Sequence, residues 1–82
     1  MKATVSTLSE FHDRIQELLN DGESLWLHSS MCEYCVVRFD HEVNTAMLFN
    51  DEGDMRLPDA IPEAELDDML NDLVLGHYYT KP

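Results

Sequence analysis

Two cysteines and two histidines in the first half of the chain are the residues best suited to metal or redox chemistry. Cys32 and Cys35 form a Cys-x-x-Cys pair, with His28 on one side of it and His41 on the other. Thiolates and imidazoles are ligands that zinc prefers, and a Cys-x-x-Cys pair can also cycle between dithiol and disulfide. These residues raise the alternatives of a small zinc protein and of a thiol-redox protein that uses Cys32 and Cys35.

The surroundings of the pair favour neither chemistry. Structural zinc sites usually join two separated pairs of ligands, whereas all four candidates here fall within one short segment. A redox pair normally opens a helix whose N-terminus lowers the thiol pKa, but Val36, Val37 and Phe39 are typical of a strand. We therefore predict no metal and no cofactor, with Cys35 as a small buried hydrophobic residue and Cys32 at a strand edge or turn.

The chain offers little else that could catalyse a reaction. Ser29 and Ser30 directly follow His28, but neighbouring residues of a strand point to opposite faces of the sheet. Only three glycines are present, and they form no phosphate loop or nucleophile elbow. The acids around Gly53 lack the alternation and the distal glutamate of a calcium loop. We predict that the protein is not an enzyme.

The negative charge is the strongest feature of the sequence. Its 82 residues include 17 Asp and Glu against 5 Lys and Arg, which gives a formal net charge of -12. More than half of the acids fall between Asp51 and Asp72, where Arg56 is the single basic residue. A negative field repels phosphates, so the composition argues against direct binding to nucleic acid and favours binding to a basic protein surface.

Part of this charge follows helical spacing. Glu65, Asp68 and Asp72 recur at three- and four-residue intervals, and like charges at this spacing slightly destabilise a helix. Carboxylates on adjacent turns lie about 5 to 6 Å apart, similar to successive phosphates of a nucleic-acid strand. The predicted partner-binding residues are Glu63, Glu65, Asp67, Asp68 and Asp72 on the helix, with Asp51, Glu52 and Asp54 as a second acidic patch.

Two amphipathic helices are predicted. The first covers residues 8–19, where apolar residues recur at helical spacing after a Thr7–Glu10 capping box. The second begins at Pro62 and ends at Gly76. Its apolar positions are Leu66, Met69, Leu70, Leu73 and Val74.

Between the helices, segments rich in β-branched and aromatic residues predict three strands, at 25–28, 34–39 and 43–49, and a short fourth strand at 55–57. In the second strand, Cys35, Val37 and Phe39 are predicted to face the core, with Val36 and Arg38 facing outward.

The order of elements predicts an α+β fold, a small two-layer sandwich with both helices on one face of an antiparallel sheet. Residues 1–82 are predicted to form a single domain in which 76–82 are a loose C-terminal tail. The other sheet face stays open, and Trp26, His28, Val36 and Arg38 are candidates for a homodimer interface there. The sequence has no apolar segment of signal-peptide or membrane-spanning character, so a cytoplasmic protein without membrane contact is expected.

The function that these features favour is a non-catalytic inhibitor that occupies a basic, nucleic-acid-binding surface of a protein complex by mimicking nucleic acid. In size and charge, the chain is similar to the anti-restriction and anti-CRISPR proteins of phages. One alternative is an antitoxin-like, immunity-like or adaptor protein that binds through an apolar sheet face. The charge could also serve only solubility or life in high salt.

Overall fold

A computed structural model of the chain describes residues 3–27 and 34–82. Over these residues, no helix combines the length and the apolar character needed to cross a bilayer. A short 3-10 helix at Pro58–Ala60 precedes the second α-helix. In chain order the other elements are α1 (Val5–Leu18), β1 (Ser24–Leu27), β2 (Tyr34–Asp40), β3 (Thr45–Asn50), β4 (Met55–Arg56), α2 (Glu63–Leu75) and β5 (Tyr78–Lys81).

The strands form one antiparallel sheet in the order β4-β3-β2-β1-β5. Strands β1, β2 and β3 each pair with the next strand along the chain, whereas β5 pairs with the free edge of β1 after the chain has passed through α2. The predicted α+β class and the order of helix, strands and helix are confirmed. The fifth strand was not predicted.

A single apolar core lies between the helices and one face of the sheet. The helices contact each other as well as the sheet, which confirms that both lie on the same face. Alternate residues of the strands enter this core, as in a half-buried antiparallel sheet. The core residues are Phe11, Ile15, Leu19, Leu25, Leu27, Val37, Phe39, Ala46, Leu48, Ile61, Leu66, Met69, Leu70 and Leu73.

Helix α1 begins earlier than predicted. The helix starts at Val5, and Thr4 is its N-cap: Oγ1 of Thr4 accepts a hydrogen bond from the backbone N–H of Thr7 at 3.2 Å. This contact satisfies a backbone donor of the first turn. The prediction that Thr7 caps the helix is wrong, because a second threonine three residues upstream provides the cap and Thr7 is buried inside the helix.

Helix α2 ends at the predicted residue and begins one residue later than predicted, at Glu63. Pro62 is the N-cap, and Gly76 ends the helix in the left-handed conformation at φ 77°, where a Cβ would be strained. The prediction that Val74 belongs to the apolar face of this helix is wrong, because its side chain is 59% exposed. The helix buries Leu66, Met69, Leu70 and Leu73.

Residues 76–82 do not form a loose tail. Tyr78–Lys81 are strand β5, which pairs with all four residues of β1. Tyr78 lies opposite Leu27 and packs against the core. The prediction is wrong because so short a polar and aromatic segment has no clear local signal, and its structure depends on the free edge of β1.

His12 connects α1 to the sheet. Its Nδ1 accepts a hydrogen bond from the backbone N–H of Ala46 at 3.2 Å, and its ring lies edge-on to the rings of Phe11 and Phe39. Burial lowers the pKa of His12, and the nearby carboxylate of Asp13 offsets this effect only in part. The neutral imidazole fits this position, because Nδ1 must be unprotonated to accept the hydrogen bond.

We expect His12 to make the free energy of unfolding fall as the pH is lowered from about 7.5 to about 5. The pKa of His12 is lower in the folded than in the unfolded protein. The contribution of His12 to the free energy of unfolding is therefore complete at pH values above the unfolded pKa of about 6.5, and it is lost as the pH falls below that value. Urea unfolding followed by circular dichroism at several pH values measures this slope.

A variant of His12 and a control on the same helix test the assignment. His12→Asn keeps an acceptor for Ala46 but does not titrate, so it should flatten the slope. Gln16→Asn, at an exposed residue of α1, changes no titrating group and should leave the slope unchanged. Equal slopes in the wild type and both variants would show that His12 does not govern this pH dependence.

Candidate functional site

The acids of α2 lie along two edges of the helix. Glu65, Asp68 and Asp72 are three and four residues apart, which places them along one edge as predicted. Glu63 and Asp67 are four residues apart and border a shallow groove along the other edge. Asp67 therefore does not extend the first stripe but belongs to a second one.

Within the part of the chain that the structure describes, no lysine or arginine forms an ion pair with these acids. Asp67 and Asp68 are exposed, and Glu63 and Glu65 are half-buried. The Asp72 carboxylate lies 3.6 Å from Nδ1 of His77 and is only 18% exposed, so it is more sheltered than Asp67 and Asp68. The outer part of α2 thus presents charge that no lysine or arginine of the described ranges neutralises.

The second predicted acidic patch is the turn between β3 and β4. Oδ1 of Asn50 accepts hydrogen bonds from the backbone N–H groups of Glu52 and Asp54, at 3.0 and 2.9 Å, which shapes the turn. Asp51, Glu52 and Asp54 are exposed. Asp51 lines a groove on the sheet face away from the helices. Asp51 therefore lies on the open side of the sheet, away from the helix layer that carries the α2 acids.

Cys35 lies at an irregularity of β2. The pairing of β2 with β3 skips this residue, which makes it the extra residue of a β-bulge between Tyr34 and Val36. Its Sγ lies 3.8 Å from Oδ1 of Asp51, and it lines the groove on the open side of the sheet. The prediction that Cys35 is a core residue is wrong, because the bulge interrupts the alternation of faces.

This position of Cys35 does not favour thiol or metal chemistry. Burial raises the pKa of the Cys35 thiol, and the charge and hydrogen bond of Asp51 raise it further. The thiolate, which is the form that binds zinc and attacks disulfides, is therefore disfavoured.

The four residues considered above as candidate zinc ligands do not all share one site. His41 follows the opposite end of β2 from Cys35, about 20 Å away along an extended strand. These two residues cannot share a metal ion, and His28 and Cys32 lie outside the described residues. In the described ranges, no group of three His, Cys, Asp or Glu side chains is placed to hold a metal.

The sheet face away from the helices carries a row of apolar side chains that crosses all five strands. The strand register places Met55, Phe49, Val36, Trp26 and Tyr79 side by side, one from each strand, and we call them the apolar row. The rings of Trp26 and Tyr79 stack with centroids 6.1 Å apart. The two ends of the row are exposed, Met55 at 53% and Tyr79 at 40%, whereas Val36 at its centre is only 8% exposed and Trp26 and Phe49 are half-buried. The sequence predicted Trp26, Val36 and Arg38 on this face, together with His28, which lies outside the described residues, and the alternation of faces could have added Phe49.

Two cations border the apolar row on one side. The Arg38 guanidinium lies 5.0 Å from the centroid of the Phe49 ring, and its Nε donates a hydrogen bond to Oγ of Ser24 at 3.2 Å. Nζ of Lys81 lies 4.6 Å from the centroid of the Trp26 ring. Arg38, Ser24 and Lys81 are neighbours across β2, β1 and β5. The open face thus differs in charge from the rest of this acidic protein.

A groove of about 460 Å³ lies over the apolar row, and its lining includes Val36 and Phe49 of the row together with both Arg38 and Asp51. Asp51 directly follows β3, so along the strand direction it lies on the side of the row opposite to Arg38. Nε1 of Trp26 is buried and has no hydrogen-bond partner among the described residues. The open face therefore combines apolar rings, cations along one border and a carboxylate at the other.

Comparison with known proteins identifies no relative: no protein-family model, no curated protein and no solved structure matches the chain. Its function must therefore be inferred from the chemistry of α2 and of the open sheet face.

Proposed function

We propose that the protein is a non-catalytic binding protein whose α2 occupies a basic surface on a protein partner. The observation that carries this proposal is the exposure of Asp67 and Asp68 on a helix whose acids form no ion pair with a described lysine or arginine. Helix stability does not account for the acids, because only Glu63 and Glu65 lie in the first turn, where the helix dipole favours them.

The partner that this chemistry suits is a protein that binds nucleic acid. Carboxylates on successive turns of α2 are spaced about 5 to 6 Å apart, as phosphates are along a strand. A basic groove that accommodates phosphates offers lysines and arginines at a matching interval. By filling such a groove, the protein would exclude the nucleic acid and act as a stoichiometric inhibitor, as anti-restriction and anti-CRISPR proteins of phages do.

The proposal is tested by capture of partners from a cell lysate with the tagged protein, followed by measurement of the affinity for the recovered partner. We expect a nucleic-acid-binding protein that is released by high salt and displaced by competing DNA or RNA. The double variant Asp67→Lys/Asp68→Lys should weaken binding about tenfold, because each surface ion pair contributes up to roughly 1 kcal/mol.

A control with the same change in charge shows whether the position of the acids matters. Glu10→Lys/Glu17→Lys reverses two exposed acids on α1 and should change the affinity less than about threefold if the contact is local to α2. An equal loss of affinity in both double variants would mean that the affinity depends on the net charge of the protein and not on the position of the acids. A salt-resistant partner without a nucleic-acid role would contradict the proposal.

The open sheet face supports a second candidate function, an immunity-like or adaptor protein that binds through apolar anchors. The exposed ring of Tyr79 and the exposed side chain of Met55 are the observation that favours it, since aromatic residues contribute strongly at interfaces. Loss of partner binding in Tyr79→Glu, with full binding in Asp67→Lys/Asp68→Lys, would select this function over the first.

A further inference from the structure

We propose that the open sheet face is the interface of a symmetric homodimer, in which the apolar rows of two copies of this chain pack against each other. The row crosses every strand of the sheet, from Met55 on β4 to Tyr79 on β5. The helices cover the opposite face and leave this one open. Two sheets that pack face to face are a standard arrangement, with the layers about 10 Å apart.

The charges that border the apolar row are complementary to themselves under one two-fold rotation. Arg38 and Lys81 lie on one side of the row, and Asp51 lies on the other. A two-fold axis that runs along the row places the cationic border of one copy over the Asp51 border of the second copy. A two-fold axis that lies in the interface and runs parallel to the strands would instead place the cationic border of one copy over the cationic border of the other. The charges therefore select the first arrangement, in which Arg38 of each copy approaches Asp51 of the other.

The net charge of the chain does not prevent this association at physiological salt. The acids concentrated on α2 belong to the helix layer, on the far side of each sheet. Two such layers would be separated by the two sheets, at a distance of about 30 Å between the outer helices. This distance exceeds the Debye length of about 8 Å several times, so most of the repulsion between the α2 acids is screened.

The size of the face predicts a weak dimer. Five strands spaced about 4.8 Å apart give a face roughly 24 Å wide. Over the short strands of this sheet, the contact lies at the low end of specific interfaces, which bury about 1,200 Å² in total. A dimer that is populated only at high protein concentration is therefore expected.

Sedimentation equilibrium of the full chain, from about 10 µM to about 1 mM, tests the proposal. We expect a monomer–dimer equilibrium that persists when the salt is raised from about 0.05 to about 0.5 M, because its main contact is apolar and the long-range repulsion between the copies is screened. Binding through α2 should instead weaken with salt, so the two proposals fail independently. A chain that stays monomeric at about 1 mM in both salts overturns the dimer.

Two variants of similar chemistry locate the interface. Tyr79→Glu places a charge in the apolar row and should raise the dissociation constant at least tenfold. Val74→Glu places the same charge at an exposed apolar residue of α2, in the helix layer, and should change it less than threefold. Circular dichroism confirms that both variants are folded. A dimer that Tyr79→Glu leaves intact, or that Val74→Glu disrupts equally, overturns the proposed interface.

A charge exchange tests the orientation of the two copies. Arg38→Glu and Asp51→Lys should each weaken the dimer, and the combination of both in one chain should restore most of the loss. This rescue is expected only if Arg38 of one copy lies near Asp51 of the other. If the dimer of the double variant is weakened by the combined effect of the two single variants, with no rescue, the two-fold arrangement is overturned.

Discussion

Leu66→Ala is expected to lower the free energy of unfolding by about 3 to 5 kcal/mol. Leu66 is fully buried, at 0% exposure, in the core beneath α2. Truncation removes apolar contacts and leaves a cavity that the surrounding side chains fill only partly. A chain of this length has a total stability of roughly 4 to 12 kcal/mol, so the variant should be largely unfolded at moderate temperature or urea concentration.

The same change at an exposed position of the same helix provides the control. Leu75 is 59% exposed, and Leu75→Ala should alter the stability by less than about 0.5 kcal/mol. Urea unfolding followed by far-ultraviolet circular dichroism measures both variants. Similar losses of stability for Leu66→Ala and Leu75→Ala would show that α2 does not pack against the core through the face that carries Leu66. Because α2 carries the acids of the proposed partner site, Leu66→Ala should also weaken partner binding.

The second large effect is expected at Tyr78, in the segment that the sequence left unstructured. Tyr78→Ala should cost about 2 to 3 kcal/mol, because the ring packs partly buried against the core and each 100 Å² of apolar surface contributes about 2.5 kcal/mol. Tyr79→Ala should cost less, about 1 kcal/mol, since it removes mainly the stacking on Trp26.

Thermal and urea unfolding of the two tyrosine variants distinguish a strand from a loose tail. If residues 76–82 were unstructured in solution, both substitutions would change the stability by less than about 0.5 kcal/mol. The relative size of the two losses of stability also shows which face of β5 packs against the core. A larger loss for Tyr79 than for Tyr78 would mean that β5 presents the opposite face to the core.

The periodic elements of the fold could be predicted from local pattern. The buried stripe of α2 repeats every three to four residues between Pro62 and Gly76, and the sequence predicted both ends of that helix to within one residue. The alternation of Val37 and Phe39 predicted a half-buried strand. Such patterns are local, because helical and strand periodicity require only the residues of the element itself.

Three features required contacts between residues distant in the chain. β5 is a strand because β1 offers it a free edge. Cys35 leaves the core because the pairing of β2 with β3 contains a bulge at that residue. His12 bonds to Ala46 across the boundary between helix and sheet. None of these has a local signal, since each depends on strand register or on a partner that is set by the packing of the whole chain.

The candidate surfaces also include one that the sequence alone predicts and one that only the folded structure shows. Composition and helical spacing were enough to identify the acids of α2, because charge and the 3.6-residue period are properties of the sequence alone. The apolar row and its cationic border come from five strands that are brought together only by folding. Side chains such as Phe49 and Tyr79 are far apart in the chain, and only the register of β1, β2, β3 and β5 places them on one surface.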